Sequence, residues 1–245
     1  MVRSGTAQPK KPTDVSTQLT SRHSTYVCYT NDVQIPGIDY SPQPGHVVAF
    51  QAPTNGGKSI ALCQATARAL TQGLNVDYIE NEACGDVRIR QIVSARIGRP
   101  WLYLSVDDAL AASDARPVGG SLHVRNSAPG ALFNLAHLSS NVDMICVDTL
   151  NRDVVHSWDE DALRTRVDQY TGAAMAKGAG LMVAYHHPRT MLTPRENETI
   201  VVLDWDDDRI NGTWTIFTHN TVREIRVQQD FCHAIAAAGI RTEDE

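Results

Sequence analysis

The chain has 245 residues, 42% of them hydrophobic, and a formal net charge of −6. That length can bury one sizeable core without help from disulfides or metal. The acidic balance excludes a general nucleic-acid coat, which needs a basic surface, so any such contact must be local or built from several subunits.

Residues 1–24 are polar and poor in large apolar side chains, which predicts a disordered arm ahead of one domain over 25–245. Val47 to Phe50 is a short apolar run and predicts a buried strand. Lys58 to Gln72 reads as a helix stopped by Gly73, and Val76 to Ile79 as a second strand. Asp86 to Ile97 carries Ile89, Ile92 and Val93 at helical spacing and stops at Gly98. Leu122 to Val124 predicts a short strand and Leu132 to Leu138 a helix. Val142 to Asp148 is a continuous apolar strand that ends in an acid. Leu163, Val167, Tyr170 and Ala174 repeat at helical spacing, and Leu181 to Tyr185 predicts another buried strand. Ile200 to Leu203 and Thr213 to Thr218 then flank Asp206 to Gly212, with Asn211-Gly212 as the hairpin signal.

Strands alternating with helices predict an α/β fold: a mostly parallel twisted sheet, helices on both faces, and a closing antiparallel hairpin. The five cysteines, Cys28, Cys63, Cys84, Cys146 and Cys232, are odd in number and widely spaced. That pattern argues for a reducing compartment and against a disulfide framework or zinc site. No apolar run approaches a membrane helix in length, and the start lacks a signal-peptide apolar region, so no membrane partner is expected.

Gly56-Gly57-Lys58-Ser59 lies between the first strand and the first helix. Backbone N–H groups at a helix N-terminus attract phosphate, and glycines let the chain curl closely around the oxygens. The cradle spans Ala52, Pro53, Thr54, Asn55, Gly56, Gly57, Lys58 and Ser59. Ala52 stands where this motif usually begins with glycine, and a small residue suffices there if its φ is negative. Lys58 can reach the β- and γ-phosphates of ATP, and the Ser59 hydroxyl can hold Mg²⁺.

Hydrolysis needs further acids. Asp148 closes its strand where a Walker B carboxylate would stand beside Mg²⁺. In Tyr78-Ile-Glu-Asn-Glu82, Glu82 lies at the strand tip and is the choice for polarising the attacking water, ahead of Glu80. His186 and His187 follow the next strand. Adjacent strand residues point to opposite faces, so they make a poor shared metal site. One is expected to face the γ-phosphate and the other to be structural.

These segments resemble the RecA-like P-loop ATPases, especially the RepA/DnaB-type hexameric helicases. The resemblance rests on Gln34 to Asp39 and Pro44 to Val48 leading into the loop. It also rests on Tyr78 to Glu82, on Val147 to Arg152, and on the paired-histidine strand from Gly180 to His187. It covers roughly residues 33–230 and implies a RecA-like core. By strand register it assigns the γ-phosphate sensor to His187. The segment from Asn211 to Arg226 also resembles the end of the packaging ATPases of double-stranded RNA phages. In both groups a basic residue after the last hairpin reaches a neighbour's γ-phosphate. Here His219 occupies the position expected to be basic, so Arg226 is the first choice and Arg223 the second.

The resemblance further implies a ring, as a homo-oligomer such as a hexamer, with single-stranded nucleic acid in its channel. Two loops would face that channel: Asn151 to Asp161 with Arg152, and Pro188 to Thr199 with Arg189 and Arg195. The first loop is also acidic. Helicase or translocase, viral genome-packaging motor, and non-translocating regulatory ATPase all stay open at this point. So do a replication or capsid partner, a cytoplasmic or virion location, and the choice of DNA or RNA.

Overall fold

The structure is a computed structural model that describes residues 43–82, 85–114, 120–127, 132–150, 160–186, 193–208, 210–230 and 235–238. The N-terminal arm, His187, Arg152 and Arg189 lie outside the described residues.

The strands are β1 (Val47–Gln51), β2 (Val76–Glu80), β3 (Leu122–Asn126), β4 (Met144–Asp148) and β5 (Gly180–Tyr185), followed by β6 (Glu198–Trp205), β7 (Asn211–Phe217), β8 (Val222–Asp230) and β9 (Ile235–Ala238). Among the described residues they form one nine-stranded sheet in the order β3-β2-β4-β5-β1-β6-β7-β8-β9. From β3 to β6 every neighbouring pair is parallel; β7, β8 and β9 then add on antiparallel. The helices are α1 (Lys58–Thr71), α2 (Gly85–Ile97), α3 (Val106–Asp114) and α4 (Glu160–Lys177).

Strand alternation divides the core in two. Val48 and Phe50 of β1 pack with Ala61, Leu62 and Ala65 of α1 and with Ile89, Ile92 and Val93 of α2. Val47 and Ala49 pack on the other face with Leu163, Val167, Tyr170 and Ala174 of α4. Those four residues share one stripe of the helix because they recur every three or four positions. β1, β2, β4 and β5 are buried along their whole length, as strands covered by helices on both faces must be.

Two expectations are corrected. Leu132 to Leu138 is not an α-helix; only Leu135–His137 turns, as a 3₁₀ helix. The apolar spacing there is three, which suits a 3₁₀ repeat, and the Asn134 side chain accepts the Ala136 N–H at 3.0 Å and closes the turn early. The 3₁₀ turn Trp101–Tyr103 and α3 are elements that the reading of the sequence leaves out. Asn211-Gly212 is not the hairpin turn either, because both residues belong to β7 and Gly212 pairs with Trp205 of β6. The turn lies just before them, held by the Asp208 carboxylate, which accepts the Ile210 and Asn211 N–H groups at 2.7 and 2.9 Å.

Gly212 is required for another reason. A Cβ there would stand 2.5 Å from the Asp204 carbonyl and 2.5 Å from the Trp205 ring. A glycine inside a strand often marks such a close approach. Gly212→Ala is therefore expected to destabilise the fold by about 1–3 kcal/mol, the usual range for overpacking. Urea unfolding measures this, and an unchanged midpoint would contradict the packing described.

Candidate nucleotide-binding site

β1 delivers the chain into the phosphate loop at the carboxyl ends of the parallel strands, where open α/β sheets take their ligands. The loop closes on itself. The Gly56 N–H donates to the Pro53 carbonyl at 3.0 Å. A Cβ on Gly56 would lie 2.5 Å from the Ala52 Cβ and 2.8 Å from the Pro53 oxygen. Gly57 has φ 79° and immediately precedes α1. Asn55 is the one non-glycine residue with positive φ among those described, so Ala52 keeps an ordinary backbone. Position 52 accepts a methyl because Gly56, facing it, has none.

A cavity of about 360 Å³ opens above the loop, lined by Thr54 to Ile60 together with Glu82, Arg88 and His186. Lys58 is buried, and its Nζ donates to the Pro53 carbonyl at 2.8 Å. Burial lowers its pKa to about 8, against the opposing pull of Asp148 and Glu82. A lysine held this way is satisfied by its own loop while it lines the cavity.

Asp148 ends β4 with no exposed surface. The Ser59 hydroxyl donates to its Oδ1 at 3.1 Å and the Tyr78 hydroxyl to its Oδ2 at 2.9 Å. Arg88 of α2 stands 3.1 Å from Oδ2 and also donates from Nε to Glu80. Burial opposes the charge on Arg88, but Asp148, Tyr78, Cys63 and Glu80 outweigh it and raise its pKa further. Glu80 in turn accepts the backbone N–H of Glu82 at 2.7 Å. Arg88 is a site residue that sequence reasoning misses; its place next to Ile89, Ile92 and Val93 on the buried face of α2 is the available signal.

Ser59 and Asp148 together offer hard oxygen donors, which suit Mg²⁺. No group of three or more metal-binding side chains exists among the described residues. Phosphates and water would therefore complete the coordination, the usual arrangement for this ion.

Glu82 sits just past β2, and its Oε1 is 2.9 Å from His186 Nε2. That hydrogen bond is the largest cause lowering the Glu82 pKa to about 2. His186 is thus in the cavity wall against Glu82, whereas the resemblance assigns the γ-phosphate-facing role to His187, which lies outside the described residues.

Three further residues singled out in the sequence, and His219 with them, stand away from this cavity. Arg226 projects from β8 and pairs with Asp206 at 2.6 Å and Thr213 at 3.1 Å. Its neighbour Val227 is buried, so Arg226 points from the opposite face of the strand. Arg223 is exposed nearer the start of β8, and His219 in the turn before it. Arg195 pairs with Asp168 of α4 at 2.5 Å, and both side chains are half exposed.

The chain matches no protein-family model and no curated protein. It does match solved structures. An ATPase domain solved on its own superposes with a TM-score of 0.60 over 86% of this chain and 94% of that one, at 9% identity. A DnaB-like replicative helicase, solved to show its interactions with primase, superposes with a TM-score of 0.58 over 80% of this chain and 59% of that one, also at 9% identity. The fold is that of the RecA-like ATPase domains of DnaB-type helicases. Among the described residues no helix is long and apolar enough to cross a membrane.

The Glu82 carboxyl, held at about 2 against an ordinary 4.5, adds stability that is present above about pH 4.5 and lost as pH falls through about 2. His186→Ala is expected to move the Glu82 titration up toward its ordinary value. Side-chain carboxyl NMR reads this directly, and an unmoved titration would show that His186 does not hold Glu82.

Proposed function

We propose that the chain is a Mg²⁺-dependent ATPase that works as a ring-forming motor on single-stranded nucleic acid. One observation carries the ATPase reading: the phosphate loop and the His186-paired Glu82 line a single cavity, and Asp148 lies buried directly behind Ser59 in its wall. Lys58 would leave the Pro53 carbonyl to meet the β- and γ-phosphates. Ser59 and Asp148 would hold Mg²⁺, which when bound neutralises phosphate charge. Glu82, ionised at neutral pH, would orient water toward the γ-phosphate. His187, adjacent to His186, remains the proposed sensor of the γ-phosphate.

The ring reading rests on the fold likeness and on the position of Arg226. That side chain stands away from its own cavity, as a residue serving a neighbour's site must. Its exposed pair with Asp206 is held weakly, as surface ion pairs are, and can be exchanged for phosphate. A trans arginine of this kind typically contributes on the order of 10³ to 10⁵ in rate. Arg195 could exchange Asp168 for a polymer phosphate by the same reasoning, alongside Arg152 and Arg189. A homo-hexamer would place six such loops around one channel, so a local positive lining can exist in an acidic protein. A replication partner or a capsid would then determine whether the motor unwinds or packages.

A second reading, a regulatory ATPase that does not translocate, is favoured by the acidic partners already occupying Arg195 and Arg226. It predicts assembly and hydrolysis without any response to nucleic acid.

Glu82→Gln is expected to keep ATP binding and lose roughly 10²- to 10⁴-fold in turnover, the range for a positioned acid–base group. Lys58→Ala should lose binding and turnover together. Mixing Lys58→Ala with Arg226→Ala subunits should restore part of the activity, because an intact cradle then meets an intact arginine across an interface. Normal hydrolysis by Lys58→Ala defeats the nucleotide site, and no recovery on mixing defeats the trans role of Arg226.

A further inference from the structure

The antiparallel strands do more than extend the sheet, for one of their side chains bonds the phosphate loop and a second lies against it. The Trp205 indole Nε1, at the end of β6, donates to the Gly56 carbonyl at 2.8 Å. A trans peptide places its C=O and N–H on opposite sides. Anchoring the Gly56 oxygen outward therefore turns the Gly57 N–H away from Trp205. Gly57 lines the cavity, so that direction is where phosphate would lie. The indole reaches this point because Gly212, its partner in the β6–β7 ladder, has no side chain to block the ring.

Gln229 of β8 closes in from the other strand. It is 4% exposed, and its Oε1 would lie 2.5 Å from a Cβ on Gly57. Neither its Oε1 nor its Nε2 has a hydrogen-bond partner among the described residues. Buried amides without partners are rare and call for a reason. Leucine would fill the same space and leave no polar atom unpaired. An amide kept here points to a polar partner that arrives with a ligand.

We propose that Trp205 and Gln229 complete the nucleotide site. Trp205 is a positioning residue that aims the Gly57 N–H into the cradle. Gln229 is a second positioning residue, whose amide takes its partner from the loop once phosphate fills it. This rests on the nucleotide reading given above and adds to it a dependence on the C-terminal strands. It also gives those strands a direct mechanical link to the loop that holds phosphate.

The experiment compares ATP and inorganic pyrophosphate affinity, by calorimetry, for the wild-type chain, Trp205→Phe, Gln229→Leu and Trp214→Phe. Trp214 is a fully buried core residue packed edge-on against Phe50, 6.2 Å between ring centres, and serves as the structural control. Trp205→Phe and Gln229→Leu should each bind both ligands roughly three- to tenfold more weakly, the size of one neutral hydrogen bond. Gln229→Leu should do so without a fall in melting temperature, because it removes unpaired buried groups. Trp214→Phe should lower the melting temperature and leave both affinities unchanged. A wild-type chain that binds neither ligand overturns the nucleotide reading itself. Tight wild-type binding with equal affinity in the two strand variants leaves that reading standing and overturns this proposal. If Trp205→Phe does not fold, Gln229→Leu decides alone, since weakened binding with an unchanged melting temperature is a result that packing cannot produce.

Discussion

The buried carboxylate of Asp148 organises the site, and Arg88 is what makes its burial tolerable. An isolated ionised carboxylate inside a protein is strongly disfavoured unless it is paired and hydrogen-bonded. Here Ser59, Tyr78 and Arg88 all converge on the two oxygens. Arg88 also holds Glu80, and Glu80 fixes the backbone at Glu82. One guanidinium therefore sets the acid proposed for the metal side and, through a single relay, the acid proposed for the water side. Removing one partner of such a pair typically costs about 3–5 kcal/mol, so Arg88 belongs to folding and to the site at once.

The sheet order places these groups together. β5 lies between β1 and β4, and β2 lies on the far side of β4. The phosphate loop after β1, Asp148 at the end of β4, Glu82 after β2 and His186 after β5 thus meet at one end of the sheet. α2 follows β2 and returns Arg88 beneath them. On the other side of β1, the antiparallel strands bring Trp205 and Gln229 to the same loop. The proposed nucleotide site is therefore bracketed by both halves of the sheet.

Much of this is legible in the sequence because it depends on local signals. The glycine-rich loop, the buried parallel strands and the amphipathic stripe of α4 all announce themselves by residue type and spacing. What stays hidden depends on contacts between distant segments. Gly212 reads as a turn residue, but its role is to admit the Trp205 ring, a tertiary demand. Arg88 reads as one surface arginine among several on α2 until Glu80 and Asp148 close around it. His186 and His187 cannot be told apart by alternation alone, and the structure places only His186, against Glu82. α3 does carry a signal: the Ser105 hydroxyl accepts the Asp108 N–H at 3.0 Å while the Asp108 carboxylate accepts the Ser105 N–H at 3.3 Å, a capping box with aspartate in the usual glutamate position.

The most direct test of the central claim is the rate of Mg²⁺-dependent ATP hydrolysis by the wild-type chain, measured over a range of protein concentrations with and without single-stranded DNA or RNA. The account predicts a specific activity that climbs steeply with protein concentration, as subunits assemble around shared sites, and climbs again when one of the polymers is added. Hydrolysis that is independent of concentration and indifferent to both polymers would contradict the motor, leaving only a nucleotide site on a RecA-like fold.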